Sequence, residues 1–125
     1  MKYLLILTFI FTNLIAELPP KVYQEWKANA NEVLEIKVLD VKTKTKNNLK
    51  HIYVTAKVFK IFRSKSHLKR GSIIKIYYTK RAKKSPLILG PSEPITLKKE
   101  HIYKAYLKKD KSNTYTIVAG GESFE

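Results

Sequence analysis

The residues able to do chemistry in this chain are few and scattered. Its three histidines are His51, His67 and His101. None stands four residues from another or in an HExxH run, the spacing that puts two metal ligands on one helical face. The acids gather once, as Glu32, Glu35 and Asp40, the one place where a carboxylate pair for acid–base work is expected. Glu35 is expected instead to offset lysines across a sheet. No serine stands with a base in a recognisable nucleophile–base arrangement, so such a pair requires distant residues to converge in the fold. Gly120-Gly121 follows a strand pattern with no helix after it, and reads as a turn rather than a phosphate loop. There is no cysteine, hence no thiolate and no disulfide framework. The expectation is a non-enzymatic protein with no catalytic residue, no metal ligand and no cofactor.

Charge is the stronger signal. The 125 residues carry a formal net charge of +15, and of 25 Lys and Arg residues only Arg63, Arg70 and Arg81 are arginine. Such a balance favours acidic partners: an acidic polymer, an anionic lipid surface or nucleic acid. The dominance of lysine also fits composition drift in an AT-rich genome, because nucleic-acid sites favour the bidentate guanidinium. A basic run becomes a footprint only when the fold gathers it into a patch. The candidate contacts are Lys42, Lys44 and Lys46, then Lys65, Lys69 and Arg70, then Lys80, Arg81, Lys83 and Lys84. Tyr53 and Tyr77, each on the strand face opposite an apolar neighbour, are candidates to stack on sugars or bases. β propensity alone also places tyrosines on solvent faces.

The elements that would position these residues begin after a leader. Met1-Lys2-Tyr3, the apolar run from Leu4 to Ile15 and Ala16 follow the charged, apolar, small-residue order of a secretory signal peptide, read here as residues 1–16. The apolar run is shorter than the ~20 residues a membrane-spanning helix needs. Export to the periplasm or the extracellular space follows, with no transmembrane segment after cleavage. Loss of Lys2 leaves +14 on about 109 residues, enough for one domain with a modest core.

Residues 17–31 read as a proline leader and one short helix. Val22, Trp26 and Ala30 form its apolar stripe, Pro20 suits its first turn, and Asn29 or Asn31 its end. From Glu32 the period becomes two. Leu34, Ile36 and Val38 share a face before the parity slips to Leu39 and Val41. Ile52, Val54, Ala56 and Val58 do the same before Phe59 and Ile61 take over. A parity slip within a strand is the mark of a β-bulge. Asn47-Asn48 turns one strand into the other as a long curved hairpin. Gly71 leads a third strand with Ile74, Ile76 and Tyr78 on one face. Residues 80–99, with Pro86, Pro91 and Pro94, form a crossing loop. His101–Leu107 alternates through Tyr103, Ala105 and Leu107, Asp110–Asn113 turns, and Tyr115–Ala119 is the last strand. The expected fold is all-β: residues 32–125 as a five-stranded barrel of the oligonucleotide/oligosaccharide-binding (OB) type, closed to remove its edges.

Val33–Leu39, Val54–Phe62, Gly71–Ile76 and His101–Leu107, in that order, resemble the OB-fold module of tissue inhibitors of metalloproteinases and netrin C-terminal domains. With the ending Ala119-Gly120-Gly121-Glu122-Ser123-Phe124 they resemble small exported bacterial proteins of that shape more closely. The resemblance covers about residues 22–125. It implies a TIMP-like barrel and, for the inhibitors, zinc capture through a free N-terminal cysteine. This chain has no cysteine, so that mechanism is not available to it. The function expected is an exported binding or interaction module that meets a protein, an acidic polymer or a lipid surface. The alternatives are a single-stranded nucleic-acid binder, which export disfavours, and a structural envelope component.

Overall fold

Alternation in the chain becomes a closed barrel in the computed structural model, which describes residues 18–82, 93–111 and 113–125. The leader 1–16, Lys83 and Lys84 lie outside the described residues. Helix α1 (Pro20–Ala28) precedes strands β1 (Glu32–Lys46), β2 (Leu49–Ser64), β3 (Ile73–Arg81), β4 (Ile102–Lys111) and β5 (Thr114–Ile117). The strand order is β1-β2-β3-β5-β4, with β4 returning to β1; all pairs are antiparallel except β3 with β5. That is the OB-like barrel the periodicity predicts. No helix among the described residues is long and apolar enough to cross a membrane.

The parity slips are where the barrel bends. Val38 pairs with Ala56 and Asp40 with Thr55, so Leu39 is the extra residue of a bulge in β1. Ile36 pairs with Val58 and Glu35 with Lys60, so Phe59 is the extra residue in β2, and Phe62 is another. Each bulge re-aims the side chains beyond it and tightens the local twist. Beyond Leu39, Val41 still packs on the core, but β4 pairs only with residues 32–37 of β1, and the rest of β1 continues as an arm paired with β2 alone. Asn47 and Asn48, at φ 52° and 63°, turn that arm, as a two-residue hairpin with both central residues left-handed requires.

Inside, Leu34, Ile36 and Val38 meet Ile52, Val54, Ala56 and Val58, then Ile74, Ile76 and Tyr78, all buried in one core with Ala105, Leu107 and Tyr115. Interior and exterior residues alternate along each strand, as closure demands. Phe124 pairs back to Ala105 beyond the Gly120–Glu122 turn and seals one end. Beside it, with the two rings 5.5 Å apart, the Tyr78 hydroxyl donates to Ile95 O at 2.6 Å and accepts from Leu97 N at 3.3 Å. Burial pushes the Tyr78 phenol up to about 12, against the lowering effect of the Leu97 bond. The bonds hold residues 95–97 of the crossing segment across the barrel.

Three expectations need correction. The helix has Pro20 in its first turn and ends at Asn29, as expected, but its anchor is Tyr23, 1% exposed, while Trp26 is half-buried and meets the Tyr23 ring edge-on at 5.7 Å. The stripe is displaced because Ala30, beyond the helix end, packs independently with Val33 and Tyr106. Strand β4 buries both faces at its centre: Ala105 and Leu107 point into the barrel, and Tyr106 is 8% exposed on the outside. The Ala30–Val33–Tyr106 cluster is what covers it. The β4–β5 hairpin also turns later than expected, since β4 continues to Lys111, and β5 ends at Ile117 rather than Ala119.

Candidate functional site

Sheet register brings the candidate tyrosines together. Tyr53 of β2 faces Tyr77 of β3 directly, and their rings lie 5.0 Å apart at 30°. Tyr53 is 45% exposed although its backbone is fully paired in the sheet. On the diagonal, His51 lies parallel to Tyr77 with centroids 6.0 Å apart. Its Nδ1 and the Tyr77 hydroxyl are hydrogen-bonded at 2.7 Å. The three rings make a platform on the outer side of the barrel wall.

Cations surround it. Lys42 is the β1 partner of Tyr53, Lys44 that of His51, and Lys46 that of Leu49. Lys75 on β3 stands opposite Thr55, two residues from Tyr77. All four lysines are exposed, and none has an ion pair among the described residues. Residues two apart on a strand share a face at a spacing of about 6.6 Å, so Lys42, Lys44 and Lys46 form a row beside the rings. The hairpin arm that carries this row owes its outward reach to the Leu39 bulge.

The remaining candidates are dispersed. Arg81 sits on the same strand as Tyr77 but pairs with Glu93, Nε to Oε1 at 3.5 Å. Lys80 donates to Thr96 Oγ1 at 3.4 Å. Lys65, Lys69 and Arg70 belong to the β2–β3 loop, at the end of those strands remote from the hairpin tip. Sequence reasoning passed over His51 and Lys75, although each lies two residues before a chosen tyrosine and so shares its face.

A second cluster is built around Glu32, the first residue of β1, whose side chain is fully buried. Its Oε1 accepts hydrogen bonds from Ser64 Oγ and Ser66 Oγ, each at 2.6 Å, and from Ser66 N at 3.3 Å. Ser66 Oγ also meets the Tyr115 hydroxyl at 2.9 Å, and Ser64 Oγ accepts from Leu68 N at 2.9 Å. Here distant residues have converged, and a carboxylate does stand beside two serines. Three donors already converge on one oxygen of a carboxylate closed from solvent. That geometry suits fastening the β2–β3 loop to β1, because a paired and buried charge is costly to disturb. Glu35, expected to offset lysines, faces Lys60 and Lys104 in register. Both lysines instead lie over the Phe62 ring, at 5.0 and 4.7 Å. Among the described residues no three His, Asp or Glu side chains gather as a metal site would require.

No family model, curated protein or solved structure matches the chain. The resemblance to tissue inhibitors of metalloproteinases and netrin modules therefore rests on the order of elements.

Proposed function

We propose that the chain is an exported, non-catalytic binding module that holds an acidic polymer on the outer face of β1, β2 and β3. The observation that carries this reading is the Tyr53–Tyr77 stack, with Tyr53 exposed, set between lysines that have no acidic partner among the described residues. Solvated lysines attract a polyanion by releasing its counterions, and the rings add stacking area without demanding a sequence. The lysine row spaces its charges at about 6.6 Å, a repeat suited to an extended chain of regularly placed anions.

The test is affinity for heparin and for poly-glutamate across a salt series, by fluorescence or calorimetry. The expected result is a steep fall in affinity with salt, and a loss of about tenfold in the Tyr53→Ala, Tyr77→Ala double variant with the salt slope retained. Affinity that is flat in salt would end the electrostatic reading. The ring platform also suits bases, which favours single-stranded nucleic acid as the second reading. Failure of an oligonucleotide to bind at low salt, where heparin binds, removes it.

A further inference from the structure

We infer that the protein carries a second, separate site that takes a phosphate monoester attached to a ring. A pocket of about 400 Å³ opens where β2 meets the β2–β3 loop, lined by Lys57, Val58, Phe59, Arg70 and Gly71. That volume falls in the range of small-ligand sites, roughly 300–1,000 Å³.

The pocket is held from several sides. Gly71 N donates to Val58 O at 2.7 Å and Val58 N to Ser72 O at 2.9 Å, fixing the loop's end against β2. Ser72 N donates to Lys69 O at 3.0 Å and closes a tight turn with Arg70 and Gly71 at its corners. Gly71 has φ +90°, the left-handed value that position of a type II turn demands. No atom lies within 4 Å of where a Cβ would stand on Gly71, so the mouth of the pocket is open. The loop's other end is fastened by Glu32 through Ser64 and Ser66. Phe59, the bulge residue of β2, stands two residues from Lys57 and shares its outer face.

The lining selects the ligand. Lys57 and Arg70 are exposed, and neither has an ion pair among the described residues. Two positive charges at one pocket match a single group bearing about −2. A phosphate monoester carries roughly −1.5 to −2 at neutral pH, whereas a carboxylate or a phosphodiester carries one charge. Arginine reads a tetrahedral oxyanion with two parallel donors and lysine adds a mobile point charge. The half-buried Phe59 supplies an apolar wall for the ring that bears the phosphate. The site lies about 13 Å along β2 from Tyr53, four residues at ~3.3 Å each. A ligand of this size cannot bridge to the tyrosine platform, so the inference does not depend on the polymer reading.

The experiment is an NMR titration of the full mature chain with phenyl phosphate, beside benzoate, phenol and inorganic phosphate. Saturable shifts are expected at the amides of Lys57, Phe59, Arg70 and Gly71, with benzoate, phenol and inorganic phosphate each at least several-fold weaker. Lys57→Ala and Arg70→Ala should each weaken phenyl phosphate about tenfold, the loss of one charge-assisted contact. Affinity should also drop below pH ~6, where the monoester dianion takes up a proton and becomes a monoanion. Tyr53→Ala should leave affinity unchanged. Benzoate binding as tightly as phenyl phosphate, shifts spread over lysines elsewhere, or indifference to Arg70→Ala would overturn the site. So would a loss in Tyr53→Ala, since it would merge the pocket with the polymer face.

Discussion

Two faces of this barrel are built from the same residue types and are in opposite states. On the side where α1 docks, four cations have partners within the fold. Lys27 bonds Glu122 and Glu125 at 3.1 and 2.9 Å and lies over Tyr106. Arg63 donates to the carbonyls of Ala28 and Ala30 at 2.7 and 2.6 Å. Lys60 and Lys104 cover Phe62. On the β1–β2–β3 face, Lys42, Lys44, Lys46 and Lys75 surround aromatic rings with no acid paired to them among the described residues. The difference teaches how to read a lysine-rich chain. Lysines and rings on the helix side partner other groups of the fold, and under the proposed function those on the other side meet a ligand. Net charge alone cannot distinguish the two.

Substitutions on the satisfied side should therefore cost stability and spare binding. The largest expected effect is Glu32→Ala, which strips three donors of their acceptor and frees the β2–β3 loop. Chemical denaturation should show a loss of about 2–3 kcal/mol. Tyr78→Phe tests the frame both faces share. Losing the bonds to Ile95 and Leu97 should cost about 1–2 kcal/mol. It should also remove an alkaline step: with the Tyr78 phenol raised to about 12, its contribution is complete below pH 10.0 and is lost as pH rises toward 12.

Lys27→Ala is the smallest, because exposed ion pairs contribute little, below about 1 kcal/mol. Hydrogen bonding between Lys27 and Glu125 raises the amine above its usual 10.5 and lowers the carboxyl beneath its usual 4.5. The carboxylate's share is present above about pH 4.5 and lost as pH falls below it. The amine's share is present below about 10.5 and lost above it. Trp26, the chain's single tryptophan, lies on α1 and reports this docking. Its emission should change at both pH limits in the parent and at neither in Lys27→Ala.

Much of the frame was legible in the sequence because the signals are local. Period two marks the strands, and the slips after Val38 and Val58 mark the bulges at Leu39 and Phe59. Asn47-Asn48 marks the hairpin. The helix stripe misled because Val22, Trp26 and Ala30 have helical spacing, yet Ala30 lies past the helix end and Tyr23 makes the deeper contact. Tyr53, Tyr77, Lys42, Lys44 and Lys46 share a face, and strand parity suffices to say so. That Tyr53 stands against Tyr77 depends on inter-strand register, which the eight-residue loop between the two strands does not set from its sequence. The Glu32 clasp and the Lys57–Arg70 pocket join residues from different elements, so no spacing displays them. Whether a lysine is partnered is likewise a fact of the fold: Lys104 and Lys44 look alike in the chain.

That last contrast gives the most direct test. Lys42→Ala, Lys44→Ala and Lys60→Ala, Lys104→Ala each remove two positive charges, one pair from each face. Heparin affinity of the two double variants should be measured through the same salt series. The first should bind about tenfold more weakly, with a salt slope reduced by about one per lysine. The second should stay within about twofold of the parent while losing some stability. Equal losses in the two variants would contradict the account, for then the charge of the whole molecule, and not one face of it, would be what binds.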